Sequence, residues 1–323
     1  MMKKESSISK RFARIGVSLG ASAFMALSIA GSGGTTFAAT KHTSAPIKIG
    51  FAVSTLNNPF FVAMRSGVLQ ESKKLGVNVI VDDANNDVST QLNQVQDLIQ
   101  QKVSAIILNP ADSQGLSAAV KMANKANIPV ITLDRSVTSG RVSVYIASNS
   151  VIAGKMAADQ LIKALHGKGN VVELQGIIGT SAERDREKGF DQEIKKAKGI
   201  HVVARQTANF DRSTALNVME NILQAHSNIQ GVFAQNDEMA LGALKAIQQS
   251  NKKGIAIVGI DGEQEAVSDV HKGLMYADIA QQPTREGMLG VLYAVKLTKH
   301  QKVSANVNSP LQLVQKNTKF KGF

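Results

Sequence analysis

The sequence predicts an α/β molecule of two doubly wound parallel-sheet domains joined by a hinge of several strands. Three observations carry this. From Ile47 onward, short apolar runs of strand type alternate with longer segments of helical period, the signature of βαβ units. A polar or charged motif follows each run, and ligands of open parallel sheets bind beyond the carboxyl ends of the strands. The chain also repeats itself. Asn109 precedes Asp134 by the interval at which Asn236 precedes Asp261, and Ser54 and Ser181 stand at the offset separating those pairs.

Taken in order, Ile47 to Val53 is the first strand and runs into Ser54-Thr55-Leu56-Asn57-Asn58-Pro59-Phe60-Phe61. Pro59 suits a helix start, Val62, Met64, Val68, Leu69 and Leu75 form its apolar stripe, and Gly76 suits its stop. Val77 to Val81 is the next strand. Leu92, Val95, Leu98 and Ile99 mark a second helix, followed by the strand Ala105 to Leu108 and then Asn109-Pro110-Ala111-Asp112-Ser113. Pro129 to Leu133 ends at Asp134-Arg135. In the second half, Val171 to Leu174 leads towards Arg184 and Arg186, Gly231 to Ala234 into Gln235-Asn236-Asp237-Glu238, and Ile255 to Ile260 into Asp261-Gly262. Asp83-Ala84-Asn85 has a looser counterpart in Thr207-Ala208-Asn209. No Pro/Gly/Ser-rich stretch divides these segments, which fits a chain that crosses between domains more than once.

Composition narrows the chemistry. The 323 residues, 43% hydrophobic and 19% charged, suit two globular domains. No cysteine is present, which excludes disulfides, thiolate metal sites, a Cys nucleophile and a lipid anchor on an N-terminal Cys. Six histidines are scattered without ligand spacing, so no zinc site is expected. Asp83-Ala84-Asn85-Asn86-Asp87 opens like a calcium loop, but Val88 stands where Gly is required and Gln94 where Glu is. Neither a phosphate-binding Gly loop nor a Ser nucleophile elbow appears, and no cofactor is expected. Lys3, Lys4, Lys10, Arg11 and Arg14, an apolar stretch to Ala30 and the small residues around Ala38 read as an export leader over residues 1–38, cleaved after Ala38. The net charge of +12 raises nucleic acid as a partner, but aromatics are 4%, the lysines are dispersed and export removes that partner; the reading is a solvated basic surface.

A polyol ligand needs flat apolar surfaces for its C–H faces and a fan of donors and acceptors for its hydroxyls. Phe60, Phe61 and Phe210 are expected in loops after strands, where they can supply the first, although each is also suited to plugging the core beneath its loop. Asp134 beside Arg135 supplies the second, because a carboxylate accepts from two adjacent hydroxyls while a guanidinium donates a planar fork. The competing assignment is a surface ion pair. Asp261, Arg186, Asn58, Asn109, Asn236 and Gln281 complete the fan, or serve as helix caps and turn formers.

Three long motifs point to a family. They are Val53-Ser54-Thr55-Leu56-Asn57-Asn58-Pro59-Phe60-Phe61, Ala126-Asn127-Ile128-Pro129-Val130-Ile131-Thr132-Leu133-Asp134-Arg135, and Val232-Phe233-Ala234-Gln235-Asn236-Asp237-Glu238-Met239-Ala240-Leu241-Gly242-Ala243-Leu244. In them the chain resembles the sugar-binding proteins of bacterial ABC importers, and within these the ribose-binding branch, from about Ile47 to Gln315. The resemblance implies the type I periplasmic binding fold of two Rossmann-like lobes, the first from residues 46–148 plus 281–309 and the second from 149–280 plus 310–323. It implies ligand contacts from Ser54, Asn58, Phe60, Phe61, Asn109, Asp134 and Arg135 on the first lobe. On the second it implies Arg186, Phe210, Asn236, Asp261 and, near the crossover, Gln281. The family typically has Phe before the second acid; Ile260 there is expected to remove one aromatic wall of the site.

The implied function is non-enzymatic capture of D-ribose or a close pentose by an exported monomer, in the periplasm or on the outer face of the membrane, and its delivery to an ABC permease. Another monosaccharide, a furanose-like signalling molecule or a chemoreceptor partner is the alternative. A sugar-responsive repressor shares the two-lobed core but needs a helix-turn-helix where this chain has its leader. An enzyme reading lacks a paired nucleophile or metal.

Overall fold

Several inner strands of this chain are apolar along their whole length because they are buried on both faces. In β3 (Ala105–Leu108), Ala105 and Ile107 pack into one core cluster while Ile106 and Leu108 pack into another on the opposite face. Such runs belong inside parallel sheets covered by helices on both sides. The computed structural model, which describes residues 46–323, shows two of them.

The first half runs β1 (Lys48–Val53), α1 (Pro59–Leu75), β2 (Asn78–Asp83), α2 (Val88–Gln100), β3, α3 (Ser117–Lys125), β4 (Val130–Leu133) and β5 (Val144–Ala147). The second runs α4 (Ser150–Ala164), β6 (Lys168–Gln175), α5 (Ser181–Ile194), β7 (Gly199–Thr207), α6 (Arg212–Ala225), β8 (Gly231–Ala234), α7 (Asp237–Gln249), β9 (Ala256–Asp261), α8 (Gln264–Lys272) and β10 (Ala277–Ala280). The chain then returns through α9 (Pro283–Thr298) and β11 (Asn306–Asn308) to the first sheet, and crosses again to end with β12 (Gln312–Val314) in the second. The sheet orders are β11-β5-β4-β3-β1-β2 and β12-β10-β9-β8-β6-β7, so the halves share one strand order. Every pairing is parallel except that of β12 with β10. Three crossovers join the lobes, at residues 148–149, 281–282 and 309–311.

The repeat read from the sequence has a structural meaning, with one exception. Asn109 and Asn236 follow the equivalent strands β3 and β8, and Asp134 and Asp261 stand at the ends of the equivalent strands β4 and β9. Asp83-Ala84-Asn85 and Thr207-Ala208-Asn209 close β2 and β7 alike: the alanines are buried and both asparagines are left-handed, at φ 49° and 57°. The exception is the serine pair. Ser54 directly follows β1, whereas Ser181 opens α5 several residues beyond its strand.

Helix α1 begins and ends where Pro59 and Gly76 placed it, with Gly76 left-handed at φ 65°. Its buried face differs from the expected stripe. Phe60, Phe61, Met64, Gly67 and Val68 are inside, while Val62, Leu69 and Leu75 are exposed. The cause is α9: a methyl at Gly67 would run into the Thr284 carbonyl, and one at Gly287 into that of Met64. This close crossing turns the glycine side of α1 inward. The second lobe repeats the device, with Gly154 of α4 against the Arg186 carbonyl and Gly189 of α5 against that of Val151.

Candidate functional site

The carboxyl ends of the strands in both lobes meet at a cavity of about 240 Å³. Asn58, Phe60, Phe61, Asp134 and Arg135 line it from the first lobe, and Ala182, Arg186, Phe210, Asn236 and Asp261 from the second. Nine of the residues singled out in the sequence thus share one wall. Ala182 was not singled out; it stands four residues before Arg186 on α5, a spacing that puts both on one helix face.

The Asn residues answer the choice between cap and ligand group by being both kinds of structure at once. Asn58 Oδ1 accepts from Phe60 N at 2.8 Å and caps α1, and Asn236 Oδ1 accepts from Met239 N at 3.0 Å and caps α7. Each lines the cavity as well. Phe60 and Phe61 sit in the first turn of α1 rather than in a loop, meeting edge to face at 5.3 Å. Phe210 precedes α6 with φ 58°. The Arg135 guanidinium lies 5.0 Å from the Phe61 ring and 5.4 Å from that of Phe210, and Arg186 lies 5.7 Å from Phe210. Flat rings from both lobes therefore stack on cations as well as shape the cavity.

Four charges are buried here. Asp134, Arg135, Arg186 and Asp261 are each only 3–4% exposed. Arg135 Nε is 3.6 Å from Asp134 Oδ2, and Arg186 Nη2 is 3.8 Å from Asp261 Oδ1. These separations are long for charge-assisted hydrogen bonds, and Nε of both arginines is buried without a hydrogen-bond partner among the described residues. Burial pushes the carboxyls of both acids above their usual range, most strongly Asp261, against the pull of the arginines. Burial also pushes Arg135 down to about 10. A set of charges so placed is satisfied by a small ligand that both accepts and donates in many directions. Backbone strain accompanies it, since Asp134 and Asp261 carry φ of 60° and 151°.

Three residues expected on the wall stand behind it. Asn109 Oδ1 accepts from Ser54 Oγ at 2.6 Å, and its Nδ2 donates to Leu133 O at 3.0 Å. Its amide also faces the Asp134 carboxyl and lowers its proton affinity. Gln281 Nε2 donates to Asp261 Oδ1 at 2.9 Å. Each fixes an acid. Arg186 has a holder of its own, because its Nη1 donates to Gln235 O at 2.5 Å, and the Gln235 side chain is clamped between Glu173 Oε1 and Gly176 N, both at 3.0 Å. Glu173 in turn pairs with Arg205 at 2.7 Å. This chain of support was not apparent in the sequence, where Glu173 is one acid inside an apolar run. Arg184, near Arg186 in sequence, is exposed and pairs with Asp185.

The Ile260 expectation is corrected. Ile260 is fully buried and belongs to the core cluster with Phe190, Phe233 and Val258 on the side of β9 covered by α4. Strand alternation turns it away from the cavity, so its identity leaves the cavity wall intact. Asp87, from the calcium-like run, caps α2 by accepting from Thr90 N.

The lobes also touch directly. Ser136 N donates to Ser181 Oγ at 2.9 Å, and Ser113 N to Gly179 O at 3.1 Å. The described conformation is therefore a closed one.

Comparison with known proteins agrees with this geometry. The chain is 48% identical over 268 residues to a ribose import binding protein of Escherichia coli strain K12, covering 83% of this chain and 90% of the relative. It is 46% identical over 265 residues to one of Bacillus subtilis strain 168, covering 82% and 86%. Among solved structures, an ABC transporter periplasmic solute-binding protein from Actinobacillus succinogenes with bound D-allose superposes with a TM-score of 0.79 at 31% identity, over 84% of this chain and 98% of that one. One from Bacillus halodurans with bound myo-inositol gives 0.82 at 31%, over 85% and 96%. The periplasmic binding protein domain profile matches residues 49–302, and the chain belongs to that family.

Proposed function

We propose that this chain is the binding component of an ABC sugar importer, which captures D-ribose or a close pentose between its lobes and hands it to a membrane permease. The observation that carries the reading is the cavity itself. Two acids, two arginines, two asparagines and three aromatic rings, divided between the lobes, surround one cavity. A monosaccharide matches it in density of hydroxyls and in its flat C–H faces. Ligand groups that touch both lobes favour the closed form by their differential affinity for it. Ribose has about ten heavy atoms, and a ceiling near 1.5 kcal/mol per atom allows micromolar or tighter binding. The chain is not an enzyme; it binds and releases.

The lobes proposed to move are residues 46–148 plus 281–309 and 149–280 plus 310–323, and the twelve residues expected from the sequence are proposed as the ligand set. Nine line the cavity, Asn109 and Gln281 stand against its acids, and Ser54 holds Asn109. The leader over residues 1–38 lies outside the described residues; among those described, no helix is long and apolar enough to cross a membrane. We place the working protein outside the cytoplasm, as a monomer, with a chemoreceptor as a further partner.

Calorimetric titration of the chain from Ala39 with D-ribose, allose, arabinose, xylose, galactose and glucose tests this. Ribose alone is expected to bind at micromolar strength or tighter. Heat with another sugar and none with ribose would move the ligand within the family; D-allose and myo-inositol, held by the structural relatives, are the first to try. Silence towards all would overturn the reading.

A further inference from the structure

Beyond β12 the chain continues for nine residues, none of which lines the cavity. The family match ends at residue 302, before this segment. Its lysines, Lys316, Lys319 and Lys321, are exposed, while Thr318, Phe320 and Phe323 are partly buried. Thr318 is tied to the second lobe, where its carbonyl lies 3.0 Å from His271 Nε2 of α8. Phe320 packs against the core cluster of that lobe that holds Val267 and Val270 of α8. The backbone N of Phe323 then donates to the carbonyl of Gly262, directly after Asp261, at 3.1 Å. Up to this point the segment belongs to the second lobe.

The side chain of Phe323 does not. It packs against the core cluster of the first lobe, and its ring meets that of Phe60 edge to face at 5.9 Å and 80°. Phe60 lines the cavity, so one ring joins the terminal segment of the second lobe to the cavity wall of the first.

We propose that residues 315–323 form a strap that fastens the closed lobes, with Phe320 as its anchor on the second lobe and Phe323 as its clasp on Phe60 of the first. This rests on the sugar-binding reading above. The clasp requires both lobes to be together, so it stabilises the closed form without touching the ligand. Its effect falls on release rather than capture, because an approaching sugar meets the open form, while a departing one waits for the clasp to part. Phe323 is thus a positioning residue for Phe60.

The test is stopped-flow release of D-ribose from the full chain and from Phe323→Ala, with Phe323→Tyr as the conservative replacement. Loss of an edge-to-face pair predicts release about three- to tenfold faster, with the association rate nearly unchanged. Phe323→Tyr is expected to restore slow release, because it keeps the ring edge. Melting without sugar is expected to stay the same in all three proteins. Release from Phe323→Ala at the unaltered rate would overturn the proposal. So would a loss that Phe323→Tyr fails to restore and that comes with a lower melting temperature of the sugar-free protein, which would mark Phe323 as a general packing residue. If the unaltered chain binds no ribose, the sugar reading itself fails and the strap falls with it; a ribose complex with unaltered release fails the strap alone.

Discussion

At the proposed site Asp134 and Arg186 are where single atoms matter most. Each is buried with incomplete partners, so a bound sugar would gain charge-assisted hydrogen bonds of about 1.5–3 kcal/mol each from such groups. Asp134→Ala removes two acceptors and leaves Arg135 without its neighbour. Ribose affinity is expected to fall roughly 30- to 1,000-fold, read by calorimetry, while the fold survives. Gly176 offers a separate handle on the same wall. A methyl there would enter the Phe210 ring, so Gly176→Ala is expected to displace that ring and weaken ribose binding by about tenfold, with a melting temperature lowered only by a few degrees. At this scale much was legible in the sequence: a carboxylate beside a guanidinium after a strand, and an Asn at a helix start, announce their chemistry by type and place. The roles of Ser54, Asn109 and Gln281 were not, because a polar residue on the wall and one just behind it follow strands in the same way. Ile260 was misjudged for a related reason. The residue before a site acid faces the opposite side of its strand, and only the register of β9 says which side is the core.

Elements were read well where burial is two-sided and poorly where helices cross. The strands β1, β3, β4, β8 and β9 announced themselves as apolar runs, whereas β7, β11 and β12, with polar residues along them, did not. The face of α1 did not, because it is set by Gly67 and Gly287 meeting across a helix pair far apart in sequence. Gly287→Ala is expected to push α9 off α1 and cost about 1–3 kcal/mol, measured by denaturant midpoint at constant slope. Between β10 and α7 lies a second device. Asp237 and Asp278 are both fully buried and close enough that Asp278 raises the proton affinity of Asp237, and Asp237 Oδ2 accepts from Gly262 N at 3.0 Å and Glu263 N at 2.8 Å, fixing the turn after Asp261. Burial pushes Asp278 up to about 7 and Asp237 well above the ordinary carboxylate range. A carboxyl raised by folding binds its proton more tightly in the native state, so its contribution is complete below about pH 4 and is lost as pH rises through about 7. Thermal scans from pH 4 to 8 are expected to show the melting temperature falling across that window, and Asp278→Asn to flatten the fall. A fall unchanged in Asp278→Asn would assign it to other acids.

For the whole molecule, closure and ligand are linked. Four charges gathered in a buried cavity oppose closure unless a ligand satisfies them, while Ser136–Ser181, Ser113–Gly179 and the Phe60–Phe323 rings favour it. Small-angle scattering of the sugar-free chain is expected to give a larger radius of gyration than the closed form described here, and ribose to reduce it to the closed value. Equal radii with and without sugar would show that closure does not depend on ligand.

The three crossovers have a consequence for how the chain comes into being. The first lobe takes α9 and β11 from beyond the whole of the second lobe, and the second takes β12 from near the end of the chain. The core cluster holding Ile49, Phe51 and Ile131 is completed only by Val291, Ala294 and Val295 of α9. A ribosome adding about 5–20 residues per second therefore holds a first lobe without its finished core until the chain has passed through β6 to β10 and reached α9. The two lobes therefore finish folding together, once α9, β11 and β12 have all been made.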